Sequence, residues 1–352
     1  MHRGLVLIFG VGLLGGAFIV GGPARSQSAS EVTTSVADFY RGKQMRIIIR
    51  SGPGGGYDLY SRLLGRHIVN QIPGNPTIVP QNMPAGGGIA AINYVADVAP
   101  KDGTVITMVS PLAALDKALG LTPALTADLR SFGWIGNLND SNPLTYVWHA
   151  SPVKSLDDAR RMQVTLGSTG AGDISSYLPN IYNKVLGTRF KIIEGYPSGA
   201  DVKLALERGD LDGFGANPLA SLLAASPDYL RDNKITVLLQ VGLRREKTLP
   251  DVPLLMELGT SDEQREVLTF VTKALAVGRP IGVGPGVPAA RVAALRKAFD
   301  ATLTDPEFIA DAKRQRLDIG PMDGDTVQRL IEDVLNAPAG IKSRVLASMR
   351  PG

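Results

Sequence analysis

The chain has 352 residues, of which 44% are apolar and 20% charged, with 40 glycines, 24 prolines and no cysteine. Single hydrophobic cores stop growing at roughly 250–300 residues, so this length favours two lobes, and the composition excludes a disordered or collagen-like chain. The lack of cysteine excludes disulfides, thiolate metal sites and cysteine nucleophiles. The net charge of +4 comes without a cluster of basic and aromatic residues, which argues against a nucleic-acid partner.

The first 26 residues predict a signal peptide. A basic start at Arg3 is followed by an uncharged stretch, Leu5 to Val20, and then by small residues up to Ser26. This stretch is shorter than the ~20 residues that span a bilayer, so cleavage after Ser26 is favoured over the alternative, a transmembrane anchor. We therefore expect a periplasmic protein.

Strands and helices alternate in the first third of the chain. Such alternation is typical of βαβ units on a largely parallel sheet, in which ligands bind at the carboxyl ends of the strands. The loops after the three predicted strands, Ser51–Tyr57, Asn82–Gly88 and Ser110–Leu112, should therefore share one edge. The predicted strands are Met45–Arg50, Thr77–Gln81 and Val105–Val109, and the predicted helices are Asp58–Gln71 and Ile89–Val98.

The pattern restarts after a less regular stretch, Leu121–Trp134, and predicts a second α/β lobe. Three amphipathic helices near the C-terminus should cover the outer faces of the first lobe. We expect residues 27–130 and 246–352 to form lobe 1 and residues 131–245 to form lobe 2, with a ligand cleft between them. The elements predicted here are strands Leu144–His149, Gln163–Gly167, Phe190–Glu194, Leu211–Ala216 and Ile235–Gly242, and helices Ser155–Arg160, Ile174–Leu186, Ala200–Gly209, Val287–Leu303, Asp305–Arg316 and Asp325–Asn336.

A glycine-rich turn joins the first strand to the first helix. Backbone N–H groups at a helix N-terminus favour an anion, so this turn predicts one wall of a small-anion pocket. Asp58 either caps the helix or contacts the ligand, and Tyr57 either closes over the ligand or packs on the helix. The candidate residues of this wall are Ser51, Pro53, Gly54, Gly55, Gly56, Tyr57, Asp58 and Ser110.

The second lobe repeats this arrangement of strand, small-residue turn and helix. Two facing loops would surround a carboxylate with amides and hydroxyls, without a permanent counter-ion. Asp173 either caps its helix or faces the ligand, where it would select a hydroxyl or ammonium group. The candidate residues of this wall are Gly167, Ser168, Thr169, Gly170, Ala171, Gly172, Asp173, Tyr196, Ser198 and Asn217.

The sequence offers little support for catalysis. It has no Gly-x-Ser-x-Gly elbow, no Gly-x-x-x-x-Gly-Lys phosphate loop and no His-Glu-x-x-His spacing. His67 lies within a predicted helix and His149 at a strand end, where a surface role is the simpler interpretation. We therefore expect no catalytic residue, no metal and no cofactor.

Several motifs, taken in order, resemble the solute receptors of tripartite tricarboxylate transporters, also called Bug-type extracytoplasmic binding proteins. Pro53-Gly54-Gly55-Gly56-Tyr57-Asp58 is similar to the family's Pro-Gly-Gly-Gly-x-Asp loop, and Asn82-Met83-Pro84-Ala85-Gly86-Gly87-Gly88 to its Asn-x-Pro-Gly-Ala-Gly-Gly turn. Ala99-Pro100-Lys101-Asp102-Gly103 and Leu249-Pro250-Asp251-Val252-Pro253 also look like family landmarks.

The resemblance runs from about Phe39 to the C-terminal helices. It implies a two-lobed α/β periplasmic-binding-protein (Venus-flytrap) fold, with a mostly parallel sheet flanked by helices in each lobe. It also implies a monomer in which Gly54–Asp58 and Gly167–Asp173 hold a carboxylate. The chain departs from the family at Asp173, where serine is common.

Three hypotheses follow for the function. The first is a receptor that closes on a small organic acid and delivers it to a membrane permease with a large and a small subunit. The second is an exported enzyme that acts on a carboxylated or phosphorylated compound in the same cleft. The third is a receptor that reports its ligand to a membrane sensor.

Overall fold

The computed structural model describes residues 36–54, 56–170, 173–196 and 199–349, so the predicted signal peptide lies outside the described part of the chain. The strands form two separate β-sheets. In chain order they are β1 (Gln44–Ile49), β2 (Thr77–Asn82), β3 (Val105–Met108), β4 (Gly133–Asn137), β5 (Pro143–Trp148), β6 (Val164–Gly167), β7 (Phe190–Ile193), β8 (Gly213–Pro218), β9 (Ile235–Gln240), β10 (Pro280–Val283) and β11 (Met322–Asp323).

Helices connect the strands and cover the sheets. None of the helices in the described residues has the length and apolar character needed to cross a membrane. The α-helices are α1 (Gly56–Ile68), α2 (Ile89–Asn93), α3 (Leu112–Leu119), α4 (Leu156–Arg161), α5 (Ile174–Leu186), α6 (Gly199–Arg208), α7 (Leu219–Ala225), α8 (Asp228–Arg231), α9 (Asp262–Ala276), α10 (Ala289–Thr304), α11 (Pro306–Arg314), α12 (Gly324–Leu335) and α13 (Ala339–Met349).

The first sheet has the strand order β11-β4-β10-β3-β1-β2. β1 is parallel to β2 and β3, whereas β10 is antiparallel to β3 and β4. The run Ile47–Ile49 in β1 is fully buried. A continuous apolar strand of this kind is stable where helices cover both faces of the sheet.

The second sheet has the order β7-β6-β8-β5-β9. β6 is parallel to β7 and β8, and β5 is antiparallel to β8 and β9. Four of its five strands therefore point the same way, as do four of the six in the first sheet. The predicted α/β fold with two lobes is confirmed.

The predicted start of lobe 2 at residue 131 is one strand too early. β4 pairs with β10 in the first sheet, where Gly136 lies opposite Ile281, so the second lobe begins with β5. β4 has the sequence Gly-Trp-Ile-Gly-Asn and is largely buried, so it lacks the alternation of apolar and polar residues that identifies a strand from sequence.

The two chain segments that cross between the lobes are hydrogen-bonded to each other. Asn142 Nδ2 donates to Gln240 Oε1 at 2.8 Å, and Asn142 N donates to Glu246 Oε1 at 2.9 Å. Glu246 N donates back to Gln240 Oε1 at 2.8 Å. Asn142, Gln240 and Glu246 form what we call the hinge network, because any relative motion of the lobes must pass through these segments.

The C-terminal helices mostly cover the first lobe, as predicted. α10 and α12 pack against β4, and α11 packs against α1. α13 was not predicted, and it packs against α5 of the second lobe as well as against α9. It also packs against α3 of the first lobe, so the final helix contacts both lobes, and its buried residues Val345 and Met349 belong to a core cluster that includes residues of both.

Candidate functional site

The carboxyl ends of β1, β2 and β3 lie at one edge of the first sheet, because these strands are parallel. The loops that follow them share this edge, as the sequence predicts. β10 runs in the opposite direction, so its N-terminal end lies at the same edge. Val109 N donates to Pro280 O at 2.8 Å, which places Ser110 beside Arg279. An arginine that the sequence analysis did not identify therefore joins the site.

Asp58 holds the first glycine loop together. Its Oδ2 accepts a hydrogen bond from Gly54 N at 2.9 Å, while its Oδ1 accepts from Arg62 Nε at 2.8 Å and Asn82 Nδ2 at 2.9 Å. Gly54 has φ +83°, a conformation that favours glycine. Because α1 begins at Gly56, Asp58 lies in the first turn of the helix and not at its N-cap. Its observed contacts are structural.

The charge on Asp58 is stabilised by these donors. The residue is only 3% exposed, and burial alone would raise its pKa. The hydrogen bonds from Gly54, Asn82 and Arg62 outweigh burial and hold the pKa below its usual value. The carboxylate is therefore ionised at neutral pH, and both of its oxygens already accept hydrogen bonds from residues of the first lobe.

The Asn82–Gly88 turn packs directly on the first loop. A Cβ atom on Gly88 would lie 2.6 Å from the Cβ of Arg50, and Gly88 has φ +91°, so only glycine allows this approach. The guanidinium carbon of Arg50 lies 4.7 Å from the centroid of the Tyr57 ring. Tyr57 thus packs against a cation of its own lobe.

Arg279 lies deep in the same edge, with 7% of its surface exposed. Its Cζ is 5.2 Å from the ring centroid of Tyr57 and 4.6 Å from that of Tyr60. The backbone is fixed, because Arg279 N donates to Asn137 Oδ1 at 2.7 Å. The side chain takes part in no ion pair of the described residues, and its buried Nε has no hydrogen-bond partner among them.

The second lobe approaches the first at Arg279. Ser221 lies on α7, the helix that follows β8 of the second sheet. Arg279 Nη2 donates a long hydrogen bond of 3.4 Å to Ser221 Oγ. A Cβ on Gly56 would lie 2.9 Å from Arg279 Nη2 and 3.8 Å from Ser221 Oγ. The N-terminus of α1, the arginine and the second lobe therefore meet at one point.

The small-residue loop of the second lobe is built on a chain of buried hydroxyls. Ser168 Oγ lies 2.9 Å from Ser175 Oγ and 2.6 Å from Ser176 Oγ. Ser176 Oγ donates to Glu194 Oε1 at 2.8 Å. These three hydroxyls hold the loop against α5 and the end of β7, so Ser168 is fully buried.

The described N–H groups of this loop already have acceptors. Thr169 N donates to Ser175 Oγ at 3.2 Å and Gly170 N to Ser168 Oγ at 3.2 Å. Ser168 N and Asp173 N donate to backbone oxygens at 2.9 and 3.0 Å. The part of this wall that is described therefore differs from the open row of amides that the sequence suggests.

Asp173 is the N-cap of α5. Its Oδ1 accepts hydrogen bonds from Ser175 N at 2.9 Å and Ser175 Oγ at 2.6 Å. Burial raises the pKa of Tyr177, and the carboxylates of Asp116, Asp173 and Glu194 raise it further. Asp116 belongs to α3 of the first lobe, so the lobes also approach each other here.

The other predicted residues lie along the same edges. Asn217, at the end of β8, donates through Nδ2 to Tyr146 Oη at 3.2 Å. Tyr196 N donates to Ser168 O at 3.3 Å, which places it beside the hydroxyl chain. Contacts of all the candidate residues with a ligand stay predictions. Gly55, Ala171, Gly172 and Ser198 lie outside the described residues.

Within the described residues, no group of three or more His, Asp and Glu side chains is arranged to hold a metal ion. His67, one of the two histidines considered, instead contacts Asp311 Oδ2 at 3.0 Å on the outside of the first lobe. What the edge can offer chemically is hydrogen bonding and positive charge.

Sequence reasoning missed three residues of this edge: Tyr60, Ser221 and Arg279. Tyr60 and Ser221 fall at ordinary helical positions and carry no sequence signal. Arg279 does carry one, because it is the single charge in the stretch from Ala274 to Val283. A cation inside an apolar stretch indicates a paired or functional residue.

Comparison with known sequences places the chain in a family. The family model of the tripartite tricarboxylate transporter family receptor matches residues 63–345. Protein BugT of Bordetella pertussis is 25% identical over 238 residues, which cover 63% of this chain and 68% of BugT. A protein of Cupriavidus necator, named UPF0065 protein in gbd 5'region, is 25% identical over 270 residues and covers 75% of this chain and 77% of its own length.

Solved structures share the fold. The periplasmic binding protein BugD aligns with a TM-score of 0.64 and 19% identity, covering 88% of this chain and 98% of BugD. Rpa4515 of R. palustris, solved with adipate, has a TM-score of 0.64 at 18% identity over 87% of this chain and 97% of that one. MatC of Rhodopseudomonas palustris, solved with malate, has a TM-score of 0.62 at 19% identity, covering 88% of this chain and 99% of MatC. The chain belongs to the tripartite tricarboxylate transporter receptor family, whose members are solute-binding receptors.

Proposed function

We propose that this chain is a periplasmic receptor that binds a small organic acid between its two lobes and delivers it to a membrane permease with a large and a small subunit. Family membership supports the general role. The observation that carries the proposal is that the lobes meet at the N-terminus of α1. There Arg279 Nη2 of the first lobe lies 3.4 Å from Ser221 Oγ of the second.

An organic acid suits this meeting point. The N-terminus of α1 contributes the partial positive charge of a helix dipole, and Arg279 contributes a full charge. Two structural neighbours were solved with adipate and with malate, which are both carboxylates. We therefore expect the ligand to present a carboxylate to the first lobe.

Binding at this point would couple ligand to lobe closure. A ligand shifts a conformational equilibrium only by its differential affinity for the two states. An acid that contacts both α1 and the second lobe gains its full set of contacts only when the lobes are close. The closed form would then be the one that a permease recognises, and the acid would leave chemically unchanged.

The test is a thermal-shift screen of protein recovered from the periplasm of expressing bacteria. The panel contains dicarboxylates, tricarboxylates, aromatic acids, amino acids and sugar acids, with uncharged sugars as controls. An acid at one hundred times its dissociation constant should stabilise the protein by roughly 2.7 kcal/mol. NMR of the recovered acid should find it unaltered. Conversion of an acid, or no stabilisation by any acid, would contradict the proposal.

The same preparation tests export. Mass spectrometry of the purified protein should find a chain that begins at Gln27, after removal of residues 1–26. Retention of the intact N-terminus in the membrane fraction would instead support an anchor.

A further inference from the structure

Arg279 is a buried cation that forms no ion pair with the described residues of its own lobe. It is 7% exposed, it belongs to no ion pair of the described residues, and its Nε has no hydrogen-bond partner in that part of the chain. Asp58 is the carboxylate of the first glycine loop, but its oxygens already accept hydrogen bonds from Gly54, Asn82 and Arg62.

Such an arrangement is unfavourable unless something compensates it. Burial removes water from the guanidinium, and an unpaired charge then loses hydration without replacement. The rings of Tyr57 and Tyr60 compensate in part, since a cation near an aromatic face is attracted by the ring quadrupole. The long contact with Ser221 adds one neutral acceptor. Neither supplies a negative charge.

We propose that Arg279 binds the carboxylate of the ligand directly, an inference that rests on the proposed function. The edge of a guanidinium that presents Nε and a terminal nitrogen matches the two oxygens of a carboxylate, and such bidentate pairs are short and strong. The Nε of Arg279 is buried and has no hydrogen-bond partner among the described residues, while its Nη2 lies at the N-terminus of α1, 2.9 Å from where a Cβ on Gly56 would be. A planar, two-oxygen anion fits both donors.

This role changes how the site works. The sequence suggests capture by two rows of backbone amides, without a permanent counter-ion. In the second lobe, however, the described amides of residues 168–170 and 173 already have acceptors. A fixed cation in the first lobe supplies the charge that those amides do not. Because Arg279 also contacts Ser221, the bound carboxylate lies where the lobes meet.

The experiment compares wild type with Arg279→Gln and Arg279→Lys by calorimetric titration. The probes are succinate, malate and adipate. Arg66→Gln is the matched control, since it removes the same charge from an exposed arginine that pairs with Asp311 at 2.9 Å, away from the cleft. We expect the control to bind as wild type does. Arg279→Gln should lose about 100-fold or more in affinity, because truncating one partner of a buried charge pair is costly.

Arg279→Lys keeps the charge but loses the planar fork, so its affinity should fall by about tenfold or more.

Thermal unfolding provides a second readout without ligand. Removing an unpaired buried charge should leave the midpoint of free Arg279→Gln at or above that of wild type, while the acid that stabilises wild type should no longer stabilise the variant.

The outcomes separate the two proposals. Wild-type binding that survives unchanged in folded Arg279→Gln would overturn the role of Arg279 and leave the receptor function intact. If that variant does not fold, wild-type affinity in Arg279→Lys overturns the bidentate contact. If wild type binds none of the wider acid panel, the receptor proposal fails first and this inference fails with it.

Discussion

At the scale of single residues, the site depends on where side chains are missing as much as on where they are present. Gly56 lets the guanidinium of Arg279 lie against the first turn of α1, and Gly88 lets the second turn lie against Arg50. The motif predicted a glycine-rich wall, but a backbone pattern carries no information about which distant side chain occupies the space. Arg279 is 223 positions from Gly56 and is brought there by the antiparallel β10.

Gly56→Ala should weaken binding of the acid without unfolding the protein. The new Cβ would lie 2.9 Å from Arg279 Nη2, so the end of a flexible side chain must shift. We expect a loss of affinity of about tenfold, since small displacements of a charged donor weaken its hydrogen bonds steeply. Calorimetry with the best acid measures this. Gly340→Ala is the control, because its Cβ would meet only Arg344 Nη1 at 3.7 Å. If wild type and both variants bind the acid equally well, the close approach of Arg279 to Gly56 does not matter for binding.

Asp58→Asn should destabilise the protein in a pH-dependent way. The folded pKa of Asp58 is depressed, so its stabilising contribution is present above the unfolded pKa of about 3.9 and is lost as the pH falls through the folded pKa. At pH 7 we expect a loss of about 2 kcal/mol, as three donors face a neutral amide. Urea unfolding should show this gap narrowing below about pH 4. A gap that is independent of pH would contradict the assignment.

At the scale of elements, local signals predicted some parts well and others not at all. The bounds of α5 were predicted correctly, because Asp173 caps its start and Gly187, with φ +72°, follows its end. β4 and β10 escaped prediction, since both are short, buried strands that contain glycine or proline. The hydroxyl chain of the second loop also escaped, because hydrogen bonds between Ser168, Ser175 and Ser176 depend on how the loop folds back.

Asp173→Ala should cost about 1 kcal/mol of unfolding free energy, because it removes the side chain that accepts from Ser175 N at the start of α5. Asp173→Asn keeps an acceptor at that position and should remain within a few tenths of a kcal/mol of wild type. Urea denaturation at pH 7 distinguishes the two variants. If alanine and asparagine are equally stable, Asp173 is not acting as a cap.

At the scale of the whole molecule, the alternation of strands and helices predicted two α/β lobes, but it did not locate their boundary. The chain returns to the first sheet for β4 before it crosses, and only the pairing with β10 reveals this. The chain crosses between the lobes twice, and the hinge network joins the two crossing segments. These segments and the contacts of α13 with α5 restrict how the lobes can move. The predicted ligand cleft would lie between the two sheet edges that this arrangement brings together.

The most direct test of binding between the lobes measures the distance across them. The chain has no cysteine, so Leu204→Cys on α6 and Ile309→Cys on α11, at residues 45% and 50% exposed, can each carry a spin label without background. Pulsed electron-spin measurements give the distribution of distances between the two labels. Adding the best acid should make this distribution shorter on average and narrower, whereas an uncharged sugar should leave it unchanged. A distribution that stays the same at saturating acid would contradict binding between the lobes.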